Sequence, residues 1–367
     1  MRIKLKNTPE QVELIKAMAD KDATKSMQAR QAFAEFVGPV IQQVLNLAAL
    51  SPLLYTDWPY SGDNDPEVEL DQFYNTNTPQ VSVWQQSVAG GLGTSTVTGL
   101  QTLRLQTYEL DSAVSLLVRN VQRGVLPYVS NALNRMSQEL IRYQEYNAFY
   151  VALRALGEAS TDGNKHVIAA TTASVLQLDD FNRLLTRSKR INVAFNGGTP
   201  DVMYSRGATD MLMSPEMMEE IRAFAYEPMN TRAIPNTDES TAVPLPDSVR
   251  SQFFAGSGDT SIYGITLHEG LELGISKTYN DIFAAVASGI NGPGGAAFAS
   301  ATDELVLGWD STREVVIRPV NTDLDGSSVK VEVDDQFSKR SGKIGWFTKL
   351  IEGRAVLDAR ALTGLAV

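Results

Sequence analysis

The chain contains no cysteine, which removes disulfides, thiolate nucleophiles and cysteine-ligated metals in one step. Histidine is nearly absent as well, with only His166 and His268 in 367 residues. His268-Glu269 does not extend to a zinc-binding H-E-x-x-H, because position 272 is Glu. No window approaches the ~18 unbroken apolar residues of a membrane span, and the start, MRIKLKNTPEQ, lacks the apolar core of a signal peptide. Positive charge is in deficit: 32 basic against 43 acidic residues give a formal charge of -11. Such a surface is ill suited to gripping nucleic acid by counterion release, although it could still enclose it. Lysine is missing entirely between Lys25 and Lys165.

What is present is the composition of a folded protein, 43% hydrophobic and 20% charged, long enough for two domains or one elaborated one. Thr8 with Pro9 opens a helix whose Val12, Ile15, Met18 and Ala19 keep helical spacing. A second helical run carries Phe33, Phe36, Val37, Val40, Ile41 and Leu45, and Gly38-Pro39 is expected to interrupt it. These thin amphipathic stripes need a surface to lie on. They belong either to an ordinary N-terminal subdomain or to an arm reaching a neighbouring subunit. Residues 51–78, with Pro52, Pro59 and Pro66 among many Asp and Asn, read as loop.

A two-stranded ribbon follows, with a glycine-rich tip at Val88-Ala-Gly-Gly-Leu-Gly-Thr-Ser. Val81 and Val83 face one way and Ser82 and Trp84 the other; Leu103 and Leu105 alternate with Arg104 and Gln106. Ten-residue strands at ~3.3 Å per residue reach roughly 33 Å. A lone ribbon is marginally stable, so one sent out from a core is expected to lie on another molecule. The tip is no phosphate loop, since it lacks the Lys-Ser/Thr pair and leads into a strand.

Asp111 is expected to cap a short helix ending at Gly124. A long helix should run from Pro127 to Leu156, with Gly157 as its left-handed cap; about thirty residues at ~1.5 Å give about 45 Å. Beyond residue 165 the pattern is mixed. Strands are expected at His166–Ala170, Ile191–Phe195 and Val202–Tyr204, and a helix at Asp179–Arg190. A strand at Met211 passes into a helix capped by Ser214 with Pro215 in first position. Residues 228–247, with Pro228, Pro235, Pro244 and Pro246, read as a long loop. Paired strands are expected at Ile262–Leu267 and Leu271–Ile275, and 288–296 is a loop. The remaining strands fall at Glu304–Trp309, Arg313–Val320, Ser328–Val333, Gly342–Thr348 and Ala355–Asp358. Asn321-Thr-Asp323-Leu-Asp325-Gly326 with Glu332 has calcium-loop spacing, except that Asn holds the first position. Strand patterns flank it, so a hairpin turn is the expected structure. No catalytic constellation emerges, and no cofactor is expected.

This order of elements resembles the major capsid protein of tailed double-stranded DNA phages, the Hong Kong 97 fold. Local strings carry the likeness: Ala208-Thr-Asp-Met-Leu-Met-Ser-Pro-Glu-Met-Met-Glu-Glu-Ile, Ile262-Tyr-Gly-Ile-Thr-Leu, and Gly342-Lys-Ile-Gly-Trp-Phe through Gly353-Arg-Ala-Val-Leu-Asp to Arg360-Ala-Leu. The resemblance implies an α+β chain divided into an N-terminal arm (1–60), an extended β-hairpin loop (61–110), and a short helix and spine helix of the peripheral domain (111–174). An axial domain (175–303) and C-terminal strands of the peripheral domain (304–367) would complete it. It implies a structural protein, not an enzyme, that forms hexamers and pentamers of an icosahedral head around DNA. Contacts between subunits are expected at Phe33, Phe36, Val81, Val83, Trp84, Leu92, Leu103 and Leu105. The implied partners are further copies, a portal, a cement protein and packaged DNA held without sequence specificity, with no membrane; the implied location is the virion, after assembly in a host cytoplasm.

Two departures from the family matter. Some members cross-link a lysine of the extended loop to an asparagine next door; the lysine-free stretch here cannot supply that nucleophile, so a non-covalent shell is expected. Some members begin with a cleaved scaffold segment of roughly a hundred residues. The ribbon here starts near residue 80, so a separate scaffolding protein and no large N-terminal cleavage are expected. The alternatives are the shell protein of a cellular nanocompartment, which shares the fold, and a soluble α/β enzyme or sugar-binding protein, which would be a monomer or small oligomer.

Overall fold

Two helices, Pro9–Ala17 and Ala23–Ala48, open the computed structural model, which describes residues 8–20, 22–62, 64–69, 102–123, 126–161, 166–192, 207–223, 260–287, 289–322, 329–334 and 342–367. Asp22 caps the second helix by accepting from Thr24 N at 3.0 Å. Met18 O accepts from both Ser26 Oγ and Arg30 Nε, at 2.7 and 3.2 Å, and so fixes the turn between them. Contrary to expectation, the second helix runs straight through Gly38-Pro39. An interior proline costs roughly 3 kcal/mol, but Phe33, Val37, Ile41 and Leu45 repeat every fourth residue across it and are all buried. Their packing outweighs the lost hydrogen bond.

The strands, in chain order, are β1 (Thr56–Tyr60), β2 (Glu67–Glu69), β3 (Thr102–Arg104), β4 (Thr107–Leu117), β5 (Val167–Ala169), β6 (Asp210–Met213), β7 (Thr260–Ile262), β8 (Ile265–Glu269), β9 (Leu305–Trp309), β10 (Val316–Asn321), β11 (Lys330–Asp334), β12 (Lys343–Gly353), β13 (Ala355–Val356) and β14 (Leu362–Ala366). The chain divides into two units. Unit 1 comprises residues 1–68, 103–148 and 317–355, and unit 2 residues 69–102, 149–316 and 356–367.

Unit 1 is built on a sheet in which β12 pairs with β4 along eleven residues, from Lys343↔Leu117 to Gly353↔Thr107. Here the structure corrects the helix expected from Asp111: residues 107–117 are strand, and only Val118–Gln122 is helical. Leu110, Val114 and Leu116 face the core while Glu109, Asp111, Ala113 and Ser115 face out, the period of a half-buried strand. β12 also pairs with β10 and β11, so those two strands do not form the expected hairpin with each other; residues 323–328 of the calcium-like stretch lie outside the described residues. The stretch expected to be loop after residue 51 contains a helical turn, Ser51–Leu54, and β1, which pairs in parallel with β10. Pro59 is tolerated there because β1 is an edge strand. Gly353 marks a close approach: a Cβ there would lie 2.6 Å from Gln106 O and 2.9 Å from Pro319 Cγ.

The core of unit 1 joins both N-terminal helices to the sheet and to Val129, Leu133, Met136 and Leu140 of the long helix Leu126–Thr161. That helix continues past the expected end at Leu156, and Gly157 lies inside it. Its missing side chain admits Val286, whose Cγ2 would be 3.2 Å from a Cβ.

Unit 2 is a six-stranded sheet in the order β5-β14-β9-β6-β8-β7. The helix Leu178–Asn192 buries Phe181 and Leu184 in its core. Its last two residues occupy the start of the strand expected at 191–195; the rest of that strand and the one at 202–204 lie outside the described residues. Ser214 Oγ accepts from Met217 N at 3.0 Å and caps the helix Pro215–Ala223. The strand expected over Ile262–Leu267 is split into β7 and β8 by Tyr263 and Gly264, both at positive φ (52° and 81°), the backbone of a tight hairpin turn. No strand forms at Leu271–Ile275; the chain turns there instead. β14, absent from the sequence reading, is central and wholly buried. The C-terminal strands therefore do not form one group: β9 and β14 complete the sheet of unit 2, whereas β10 to β12 belong essentially to unit 1.

Candidate assembly surfaces

Of the residues expected at subunit contacts, Phe33 and Leu105 are spent inside the chain. Phe33 is 2% exposed and its ring centroid lies 5.3 Å from that of Trp346. Leu105 is also buried, and its N–H donates to Pro66 O at 2.9 Å. The sequence could not separate these from Phe36 (49% exposed) and Leu103 (38% exposed), which remain on the surface. Val81, Val83, Trp84 and Leu92 lie outside the described residues. β2 and β3 pair with each other at the point where the chain leaves for, and returns from, residues 70–101.

The chemistry-bearing groups serve the interior. His166 Nδ1–H donates to Leu362 O at 2.9 Å, and burial holds its pKa below the usual histidine range. His268 Nε2 lies 3.1 Å from Asp210 Oδ1, with its ring stacked on Trp309. Among the described residues, no group of three or more histidine, aspartate or glutamate side chains could hold a metal ion.

The dominant polar cluster, missed by sequence reading, surrounds Glu352 in β12, which has no exposed surface. Its Oε2 accepts from Arg318 Nε and Gln144 Nε2, both at 2.9 Å. Arg354 Nη2 donates to both oxygens at 3.2 and 3.3 Å, and Tyr108 OH donates to Oε1 at 3.3 Å. The Arg354 guanidinium also lies 4.9 Å from the Tyr55 ring centroid. Burial, and then the Glu352 charge, push the Tyr108 phenol up to about 12. The cluster pins β12 to β10, to β4 and to the long helix. In sequence it is an Arg and a Glu inside apolar runs, "VIRPVN" and "KLIEGR", and that interruption was the available signal.

In unit 2, Arg313 donates to Asp358 at 2.9 Å, and Arg360 grips the same carboxylate, fixing the turn that feeds β14. Ser214 donates to the buried Glu304. Burial raises the pKa of Glu304, with Glu216 and Glu220 adding to the effect. A carboxyl whose folded pKa exceeds its unfolded value favours folding at low pH, and that contribution fades as pH rises through the folded pKa. Glu304→Gln is accordingly expected to reduce the loss of thermal stability as pH rises above the ordinary carboxylate range, read from paired melting curves. An unchanged pH profile would count against this role.

No protein-family model and no curated protein matches the sequence. Solved structures do. The capsid of Cyanophage P-SCSP1u is similar with a TM-score of 0.50 and 12% identity, over 85% of this chain and 86% of that one. The capsid of an empty GTA particle is 12% identical over 87% and 89%, at a TM-score of 0.47. The holo-SrpI encapsulin complex from Synechococcus elongatus PCC 7942 is 11% identical over 87% and 88%, at 0.42. At such identities a likeness speaks for architecture alone, and on that footing the chain is an α+β protein with the Hong Kong 97 fold of phage capsid proteins.

Proposed function

We propose that this chain is the major capsid protein of a tailed double-stranded DNA phage, self-assembling as hexamers and pentamers into an icosahedral head. The observation that carries the reading is the fold shared with a cyanophage capsid over 85% of the chain. The β2–β3 pair supports it further, since an extended loop needs such a base. In this reading unit 1 plays the peripheral role and unit 2 the axial one. The partners are further copies, a separate scaffolding protein and a portal. DNA is enclosed rather than gripped, consistent with the formal charge of -11. The protein acts by its surfaces, not by catalysis.

Electron micrographs of the purified product should show closed particles containing DNA. Particles filled with protein cargo and free of nucleic acid would favour a nanocompartment shell instead, and a stable monomer would overturn both. The shell is held without covalent links through the loop, because no lysine lies between Lys25 and Lys165. Particles boiled in detergent are expected to give one band near 40.0 kDa; a ladder of higher bands would overturn the non-covalent shell.

A further inference from the structure

β4 is an outer strand of the unit 1 sheet, and among the described residues it pairs with β12 alone. Val118 N–H donates to Gly342 O at 2.9 Å, which fixes the phase of that ladder. Leu110, Ser112, Val114 and Leu116 turn their backbone groups toward β12, so those of Glu109, Asp111, Ala113 and Ser115 point away from it. At the start of this outer edge Asp65 Oδ1 accepts from Thr107 N–H at 3.3 Å. Beyond that point nothing among the described residues pairs with it. An open edge of this length is a template for another strand, and folded proteins cover or guard such edges.

Both faces of β4 say what would cover it. On the outer face Glu109 and Asp111 share one cation, since Lys349, which sits opposite Asp111, lies 2.5 Å from Glu109. Lys343, on the same face of β12, is at the far end, opposite Leu117. Burial, and then the neighbouring Glu109, hold the Asp111 carboxyl above the usual carboxylate range. On the inner face Leu110 and Val114 are only half-buried, at the margin of the core. The segment ahead of the first helix, outside the described residues, has the complementary pattern. Arg2-Ile-Lys-Leu-Lys6 alternates cationic and apolar residues at the period of a strand, and residues 1–7 contain no acid.

We infer that residues 2–6 add to the open edge of β4 in the same copy, as one more strand that straps the N-terminal segment to unit 1. Laid there, Arg2, Lys4 and Lys6 stand beside the carboxylates, while Ile3 and Leu5 extend the cover of Leu110 and Val114. Seven residues reach up to about 23 Å. The helix Pro9–Ala17 that follows them shares the core of Leu110, Val114 and Leu116, and packs against Val118–Gln122, the continuation of β4. β11 is the outer strand on the other side of β12, but it is the second helix, Ala23–Ala48, that lies against it. Charges on an edge also serve simply to repel stray strands; a basic, alternating segment that starts beside this edge favours cover. The inference is independent of the shell reading, since a single copy holds both halves.

A chain without cysteine allows a clean test by disulfide trapping. In the full-length chain, dilute and unassembled, Lys4→Cys is combined in turn with Glu109→Cys, Asp111→Cys and Ala113→Cys, three exposed positions, and oxidised. At least one pair is expected to close within a single chain. Its yield should exceed by about fivefold or more that of Leu5→Cys with the same partners, because side chain 5 faces the other side of the sheet. In hydrogen exchange, Ile3→Asp with Leu5→Asp should speed the amides of Asp111 and Ala113 by about tenfold or more. The amides of Ser112 and Val114, turned toward β12, should keep their rates. No bridge from position 4, equal bridging from positions 4 and 5, or preferential bridging of Lys4→Cys to Glu332→Cys on β11 would each overturn the inference. So would bridges that join two chains, which would give the edge to another copy.

Discussion

Glu352→Ala is expected to cost unit 1 about 3–5 kcal/mol, the range for removing one partner from a buried ion pair. The cost arises because the substitution leaves charge behind. Arg318 and Arg354 are 7% and 1% exposed at their side chains, so neither guanidinium can recover the loss from water. Arg354 already has Nε and Nη1 buried without a hydrogen-bond partner, which leaves it more dependent on its remaining acceptor. Glu352→Gln keeps an acceptor for Arg318 and removes the charge, so its loss should be smaller than that of the alanine variant. Denaturant unfolding of the unassembled chain measures both, with a shifted midpoint and an unchanged slope as the expected signature. A loss below about 1 kcal/mol for the alanine variant would mean that solvent reaches the cluster.

Phe33→Ala is expected to destabilise the unassembled chain by about 3–5 kcal/mol. This separates a helix packed at home from an arm that finds its only partner on a neighbour. Phe33 packs on Trp346, itself 1% exposed, in the core that also holds Ile15, Met18 and Ile41. An arm docking solely on another subunit would lose assembly and leave the isolated chain as stable as before. Phe36→Ala provides the contrast, since that ring is 49% exposed. Stability of the single chain should move by no more than about 0.5 kcal/mol, and an effect confined to assembly would place Phe36 at a subunit contact. Equal losses for the two variants in the isolated chain would contradict the assignment.

The N-terminal residues show where sequence reasoning stops. The periodicity of Phe33, Val37, Ile41 and Leu45 is visible and correctly gives a helix, but it says only that a stripe needs covering. Whether the cover comes from β11 and β12 or from another molecule depends on chain more than 280 positions away. Gly38-Pro39 misleads for the same reason: local propensity predicts a break, and long-range burial overrides it. Around Asp111 a capping residue ahead of mixed apolar positions suggested a helix. The alternation at 107–117 becomes decisive only once β12 is there to pair with it.

The candidate surfaces divide in the same way. The ribbon was chosen from its alternation, yet Leu105 turned out to be internal and Leu103 external. In a strand with neither face fully apolar, pattern alone does not tell which face the rest of the chain will cover.

By itself the sequence determined what lies within a few residues of its cause: a helix over 179–190, the Ser214-Pro215 start of the next one, and the long helix after Pro127. It also settled what its composition forbids: with no cysteine there is no thiol chemistry, and residues 26–164 offer no lysine side chain. The tertiary structure alone decided that residues 107–117 are strand, that β14 is central, and that Glu352 gathers two arginines in the interior. Caps and periodicity are read from neighbours in the chain. Pairing, register and the sharing of a buried charge need partners up to 261 positions apart, and only folding brings those together.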